Sequence, residues 1–341
     1  MFTSQLRQVK AKYSIFLPVK NGGKYIATVI DSILVQQLHD FVLIILENKS
    51  TDNTMSIIRG YEDPRIFVVE APIALGICEN WKRIYDFLAT KTIETEFCTI
   101  IGHDDVFYHN FLSVVDALVA DYPDASLFQT HFDMIDENNT VFRTCKPIPL
   151  HETYRDFFLA RCWAIRDSFG TGYVFRTSDY IKIGGIPDLP LLLWSDDLMI
   201  MRLTRLSYKV TATEVGSAYR QHSKSTSGSK TKNRFVLTIE AANNFVSIIR
   251  NEFGELLVDV YGKASLGYMI ELNVMFLKNN ISRYVFDSTI NQILANLESV
   301  SAELLGNLDR RSIYGQSFFD KSRWVVKKIF YKIKLALWLF V

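Results

Sequence analysis

The sequence predicts an α/β protein: a largely parallel sheet with helices on both faces, continued by a helical C-terminal region. Three observations predict it. Short apolar, β-prone runs at Tyr13–Val19, Val42–Leu46, Arg65–Val69 and Phe97–Ile101 alternate with stretches of helical length, as in strand–helix–strand units. Each run ends in a polar, turn-rich loop, and in open α/β sheets ligands bind beyond the carboxyl ends of the strands. From Phe235 to about Asn307 the pattern is helical with few breakers.

Composition narrows the function classes. The chain has 341 residues, 48% of them hydrophobic, enough for one large domain or two ordinary ones. A formal net charge of +1 gives no drive toward nucleic acid. Cys78, Cys98, Cys145 and Cys162 form no C-x-x-C pair, so neither a zinc site nor a redox dithiol is indicated; reduced thiols fit a cytosolic chain. The first apolar run is short and contains Pro18, too little for a signal-peptide core or a membrane span.

In order, Tyr13–Val19 is the first strand and Lys20-Asn21-Gly22-Gly23 a turn, with a helix from about Lys24 to Gln37. Val42–Leu46 runs into Glu47-Asn48-Lys49-Ser50-Thr51-Asp52-Asn53-Thr54, where Ser50 or Asp52 suits the cap of a helix to about Tyr61. A short strand Arg65–Val69 and a helix Glu79–Thr90 follow. The strand Phe97–Ile101 stops at Gly102 and is followed by Asp104-Asp105. Two adjacent carboxylates repel unless something positive sits beside them, and hard oxygen ligands suit Mg²⁺ or Mn²⁺ bridging to phosphate. A solvated Asp-rich turn is the other reading of that tip.

A helix Asn110–Tyr122, a hairpin of Ser126–Ile135 with Thr140–Thr144, and a helix Tyr154–Ile165 come next. Phe169–Phe175 has two glycines flanking Thr171, either a close backbone approach to a ligand or a plain turn into a strand. Gly184-Gly185 and Trp194-Ser195-Asp196-Asp197 lead into a helix Leu198–Leu206, then a strand Lys209–Val215. The polar stretch from Tyr219-Arg220-Gln221-His222 to Asn233 reads as a linker or lid. In the tail, Lys327, Lys328, Lys332 and Lys334 fall on one helical arc, opposite Val325, Ile329, Phe330 and Ile333. That suits either an anionic membrane surface or docking on protein.

Taken together, these motifs resemble the family 2 glycosyltransferases of the GT-A fold, a Rossmann-like mixed sheet, over about Tyr13 to Ser227. Ser14–Asn21 is similar to that family's Val-Pro-x-Tyr-Asn opening, with Lys20 at the aromatic position. Glu47–Thr54 is similar to its Asp-Asp-Gly-Ser-x-Asp-x-Thr donor loop, with Glu47, Asn48 and Lys49 replacing Asp-Asp-Gly. Leu75–Trp81 resembles its Asn-x-Gly-x-x-x-Asn segment, Asp104-Asp105 its metal acids, Gly184-Gly185 with Asp196-Asp197 its Gly-Gly and Glu-Asp pair, and Tyr219–His222 its Tyr-Arg-x-His segment.

The resemblance implies an inverting, metal-dependent transferase moving a hexosyl or N-acetylhexosaminyl group from a nucleotide sugar, a UDP-sugar first. The acceptor it implies is a saccharide or lipid-linked saccharide, as in bacterial surface polysaccharide assembly. Donor contacts fall to Pro18, Val19, Asn21, Glu47, Asn48, Ser50, Asp52, Gly76, Asn80, Asp104 and Arg220, and Mn²⁺ or Mg²⁺ to Asp105, Asp104 and His222. Asp197 is the expected base, Asp196 the alternative, and Phe169 to Tyr173 with Trp194 the aromatic surface for the acceptor. Domains are expected at 1–227 (transferase), 228–315 (helical) and 316–341 (basic amphipathic helix). The basic tail places the protein peripherally on the cytoplasmic face of a membrane. A nucleotidyltransferase or an inactive scaffold are the rival readings; no Walker A or G-x-G-x-x-G sequence is present.

Overall fold

A computed structural model describes residues 10–90, 93–162, 165–222 and 232–258. The chain divides into two compact units, one of residues 1–154 with 168–229, the other of 155–167 with 230–341.

The first unit is built on a ten-stranded mixed sheet in the order β3-β2-β1-β4-β9-β6-β10-β5, with β7 on β6 and β8 on β10. β1 (Lys10–Val19), β2 (Phe41–Glu47), β3 (Ile66–Glu70) and β4 (Glu94–Ile100) are mutually parallel. β9 (Tyr173–Arg176) runs antiparallel between β4 and β6 (Leu127–Ile135), and β10 (Lys209–Arg220) is parallel to β6. β5 (Val106–Phe107), β7 (Val141–Thr144) and β8 (His151–Glu152) pair antiparallel at the margins. β1, β2, β4, β6 and β10 therefore all end on one edge.

Continuous burial explains the unbroken apolar runs: every residue of β2 is buried, as is β1 from Tyr13 onward, as expected of strands covered on both faces. One face of β1 (Tyr13, Ile15, Leu17, Val19) packs with α1 (Ile26–Leu34) through Ile26, Val29, Ile30 and Ile33, and with α4 (Phe111–Asp121) through Phe111, Leu112 and Val115. Burying each such side chain contributes about 1.5–3 kcal/mol. The interior also holds an ion pair, Lys209 Nζ to Glu152 Oε2 at 2.6 Å, with Gln129 Oε1 accepting from the same ammonium at 2.9 Å. That pair pins β8 to β10.

The remaining helices of this unit are α2 (Thr54–Ile58), α3 (Ile77–Ala89), α6 (Thr177–Lys182) and α7 (Ser195–Leu206). In the second unit the described helices are α5 (from Tyr154 of the first unit to Cys162), α8 (Lys232–Glu252) and α9 (Glu255–Val258). Buried Ala241, Ala242, Phe245, Val246, Ile249 and Phe253 recur at helical spacing on α8 and just beyond it. No described helix is long and apolar enough to cross a membrane.

Several expected elements shift. The helix expected to run to Tyr61 stops at Ile58, and the one expected to start at Leu198 starts at Ser195, so Asp196 and Asp197 lie inside its first turn. The strand expected to end at Val215 continues to Arg220 through bulges at Ala212/Val215 and Val215/Ser217. Gly216 looks like a terminator in the sequence, but it is a bulge residue whose absent Cβ would lie 2.7 Å from the Thr130 hydroxyl. The polar stretch expected to reach Asn233 gives way to helix at Lys232. The rest of the expected helical region and the basic tail 316–341 lie outside the described residues.

Candidate active site

The site grows from the strand ends on the shared edge. β1 and β2 lead into two loops that lace each other. Asn21 N–H donates to Ser50 Oγ at 2.9 Å, Thr51 N–H to Asn21 Oδ1 at 2.8 Å and Gly23 N–H to Asp52 Oδ2 at 3.0 Å. Asp52 Oδ1 also accepts from the Thr54 N–H at 3.0 Å, turning the chain into α2. Glu47, 1% exposed, accepts from Lys49 N–H at 2.9 Å and Ser50 N–H at 2.6 Å. The clamp holds Lys49 at φ 52, left-handed where a lysine is unusual, and this is the position of glycine in the motif it resembles.

Asn48, 2% exposed, is committed at both ends of its amide: Nδ2 donates to Leu75 O at 3.0 Å and Oδ1 accepts from Leu75 N–H at 2.7 Å. That bond brings the segment before α3 against the loop, with Gly76 as the N-cap of α3 and Glu79 Oε2 accepting its N–H at 2.8 Å. Asn80 is buried; its Nδ2 donates to Leu46 O at 3.5 Å and its Oδ1 accepts from Arg83 at 2.9 Å. Of the expected donor residues, Glu47, Asn48, Asn80 and Asp52 thus spend these polar atoms on holding the loops and the start of α3 in place. Pro18 and Val19 are buried at the end of β1.

β4 delivers the acids. Gly102 makes the tight turn possible: a Cβ there would lie 2.7 Å from Asp105 Oδ2 and 3.0 Å from Asp104 Oδ1. Asp105 is 3% exposed. Its Oδ2 accepts from the Thr171 hydroxyl at 2.5 Å, and its Oδ1 from the Arg220 backbone N–H at 2.9 Å. Burial, then the neighbouring Asp104 charge, push its proton affinity well above the usual carboxylate range, against those two bonds. Asp104 is more open, and its Oδ2 stands 2.8 Å from His222 Nε2.

Arg220 is the organiser of this end. It is 1% exposed. Its Nε donates to Asp104 O at 2.6 Å, Nη1 to Asp136 O at 2.8 Å and Nη2 to Asn139 Oδ1 at 2.6 Å. Its guanidinium lies 4.6 Å from the centroid of the Tyr25 ring. The sequence places Arg220 over the phosphates of a donor; in this conformation its donors instead tie the acidic loop to the β6–β7 turn. Lys24 Nζ meets Glu137 Oε2 of that turn at 2.8 Å. Asp136, Asn139, Lys24 and Tyr25 were not singled out from sequence, because only the β6–β10 pairing brings the hairpin tip beside Arg220.

The residues present suit a hard divalent ion. A buried and a half-buried carboxylate crowd one another, and Asp105 keeps lone-pair positions beyond the two in use. The Asp104 Oδ2 and His222 Nε2 separation of 2.8 Å is close to the ~3.0 Å between neighbouring ligands of an octahedral ion with bonds of ~2.1 Å. Among the described residues no three His, Cys, Asp or Glu side chains close a full metal cage. Asp104, Asp105 and His222 would hold such an ion only together with ligands from phosphate and water, the usual manner of Mg²⁺.

The candidate base lies on α7. Asp197 is 2% exposed, and its N–H donates to Asp196 Oδ1 at 3.0 Å. The residue before the helix, Trp194, is left-handed at φ 61. Among the aromatics expected to meet an acceptor, Tyr173 is buried with its hydroxyl 2.8 Å from Ser168 Oγ, and Phe169 stacks on Tyr219 at 3.7 Å between centroids. Both are packing residues on those contacts, and Trp194 is largely buried.

Residues 14–184 match the family model described as glycosyl transferase family 2. An uncharacterized glycosyltransferase of Rickettsia typhi is 29% identical over 97 residues, 28% of this chain and 28% of that protein. One of Mycoplasma pneumoniae is 28% identical over 115 residues, 32% of this chain and 37% of that one. The match thus spans 28% to 37% of the length of these curated relatives. Among solved structures, residues 1–349 of S. aureus TarS in complex with UDP-GlcNAc superpose with a TM-score of 0.53 at 15% identity, covering 88% of this chain and 93% of that one. That likeness is one of fold.

Proposed function

The chain belongs to the family 2 glycosyltransferases, and from that membership we propose that it is an inverting, metal-dependent enzyme moving a sugar from a nucleotide sugar to a saccharide or lipid-linked saccharide. The observation that carries this reading is the gathering of Asp104, Asp105 and His222 at the edge where the β1 and β2 loops end. A UDP-sugar carrying a hexosyl or N-acetylhexosaminyl group is the favoured donor, supported by the UDP-GlcNAc complex of the TarS fold relative.

In this reading the laced β1 and β2 loops hold the nucleoside, with Asn21, Ser50 and Gly76 on the donor side. Asp105, Asp104 and His222 hold Mn²⁺ or Mg²⁺. When bound, the ion neutralises the charge gained by the departing nucleoside diphosphate. Thr171 and the Arg220 backbone fix Asp105, so the acids are already placed before the donor arrives. Asp197 takes the proton of the acceptor hydroxyl as it attacks from the face opposite the leaving group. Asp196 bonds the Asp197 N–H and fixes the first turn of α7. The basic tail places the enzyme on the cytoplasmic face of a membrane, where a lipid-linked acceptor for surface polysaccharide is presented.

The test is a thermal-shift screen of nucleoside diphosphates and nucleotide sugars, with and without Mn²⁺. Stabilisation that needs both nucleotide and metal, and is lost in Asp105→Ala and in the more exposed His222→Ala, is the expected result. Absence of any nucleotide-dependent shift in the native chain would replace this reading by that of an inactive scaffold.

A further inference from the structure

We propose that Tyr25 is a positioning residue of the ion site: its ring supports the His222 imidazole and sets it beside Asp104 for a divalent ion. This role rests on the metal-dependent reading above. Tyr25 ends the turn after β1 and immediately precedes α1. That turn is pinned from several sides. Tyr25 N–H and Ile26 N–H both donate to Gly22 O at 2.9 Å. Gly23 N–H donates to Asp52 of the β2 loop. At Gly22 a Cβ would lie 2.7 Å from Val19 Cγ2 and 3.0 Å from His103 Cδ2, so glycine lets the turn close down on β1 and on the acidic loop. The Tyr25 side chain therefore starts from a fixed piece of backbone.

The ring contacts make that side chain a platform. Tyr25 is 9% exposed, and its buried hydroxyl has the Lys24 ammonium beside it. The Arg220 guanidinium lies 4.6 Å from the ring centroid and Lys24 Nζ 4.8 Å. Arg220 spends three of its in-plane N–H groups on Asp104 O, Asp136 O and Asn139 Oδ1, which leaves the face of the guanidinium for an aromatic ring. Lys24 is itself tied to Glu137. The imidazole of His222 lies 5.4 Å from the Tyr25 ring, centroid to centroid, with the planes 44° apart, inside the ~4.5–7 Å span of attractive aromatic pairs.

His222 needs such support because of where it stands. It lies two residues past the end of β10, beyond the bond from Gln221 N–H to Ile135 O at 2.9 Å, so strand pairing does not fix its ring. Asp104 Oδ2 meets its Nε2 at 2.8 Å. An ion bound by both residues would replace the hydrogen bond between them. The contact with Tyr25 uses no lone pair of the imidazole, so it is compatible with ligation and remains as the support of the ligand. Partners that orient a ligating histidine are worth about 10–100-fold in metal affinity. Tyr25 also starts from the turn that carries Asn21, so one short segment joins the expected nucleoside loop to the ion site.

The experiment has two readouts on the full chain. The first is Mn²⁺ uptake in the presence of UDP, followed by the free-ion electron paramagnetic resonance signal. Tyr25→Leu should weaken uptake about tenfold or more, while Tyr25→Phe, which keeps the ring, should take up the ion as the native chain does. On a His222→Ala background Tyr25→Leu should add no further loss, because the two residues act as one unit; a general structural role would weaken both backgrounds alike. The second readout needs no metal. With the six histidines ¹³C-labelled, and the His222 ring signal assigned by its loss in His222→Ala, Tyr25→Leu should shift that signal and loosen the ring, and Tyr25→Phe should leave the ring as ordered as in the native chain. Tyr25→Met, of similar reach, takes the place of the leucine variant if that one does not fold. Equal uptake in the native chain and Tyr25→Leu, an equal further loss on the His222→Ala background, or an unmoved His222 signal overturns the proposal. Absence of uptake by the native chain overturns it together with the metal-dependent reading, and is thereby told apart from a failure of Tyr25 alone.

Discussion

The two halves of the site edge are finished to different degrees. At the β1–β2 end the polar side chains answer one another: Glu47 caps Lys49 and Ser50, Asn48 bonds both backbone atoms of Leu75, and Asn21 and Asp52 close the loops. At the β4–β10 end two carboxylates are pressed together under a histidine, and every cationic donor of Arg220 described above points at a carbonyl or an amide oxygen. The first end is a shaped wall that needs nothing added. The second holds more negative charge than its neighbours compensate, which is the condition a divalent ion relieves.

The contrast can be broken by substitution, and the largest effect is expected at the acidic end. Asp105→Asn should lower sugar transfer by about a hundredfold or more, the scale of losing a preorganised electrostatic group, measured as turnover of nucleotide sugar with saturating Mn²⁺. Asp197→Asn should lower kcat by about 10²–10⁴-fold while leaving the nucleotide-and-metal thermal shift intact, since α7 contributes no donor contact in this account. Equal losses of binding and turnover in Asp197→Asn would move that residue to the donor site.

Arg220→Gln tests the organiser. Replacing a buried cation that bonds Asp104, Asp136 and Asn139 should cost about 2–4 kcal/mol of stability by denaturant unfolding, with faster amide exchange in the β6–β7 turn. An unchanged turn would mean the hairpin tip is held by Lys24–Glu137 instead. The smallest effect is expected at the finished end. Lys49→Gly relieves a left-handed lysine of about 1–2 kcal/mol but frees the unfolded chain by about 0.5–1 kcal/mol, so stability should move by about 1 kcal/mol or less. A large loss there would show that the Lys49 side chain, 3.5 Å from Glu70 Oε2, carries more than its backbone.

What could be read from sequence follows from which contacts are local. β1, β2 and β4 announce themselves as apolar runs because both faces are covered, and Asp104-Asp105 follows one of them directly. The antiparallel entry of β9 between β4 and β6 has no local signature, and it is this strand that brings Thr171 to Asp105. Likewise the turn Asp136–Asn139 was legible as a turn, but its partnership with Arg220 depends on a parallel pairing between strands about 80 residues apart in sequence. The bulges in β10 hid its last five residues, from Gly216 on, so Arg220 read as part of a polar loop and not as the end of a strand paired along its length with β6. The packing of Phe169 is hidden for the same reason: aromatic content is visible in sequence, while the stacking of Phe169 on Tyr219 is not.

The central claim is that the acidic end is completed by a divalent ion together with a nucleoside diphosphate. Its most direct test is a Mn²⁺ titration followed by the free-ion electron paramagnetic resonance signal, with and without UDP, on the native chain and on Asp104→Ala, Asp105→Ala and His222→Ala. The account predicts tight uptake of one ion only when the nucleotide is present, weakened about tenfold or more in each variant, as when a ligand or its support is lost. Uptake that ignores the nucleotide, or that survives unchanged in all three variants, would contradict it.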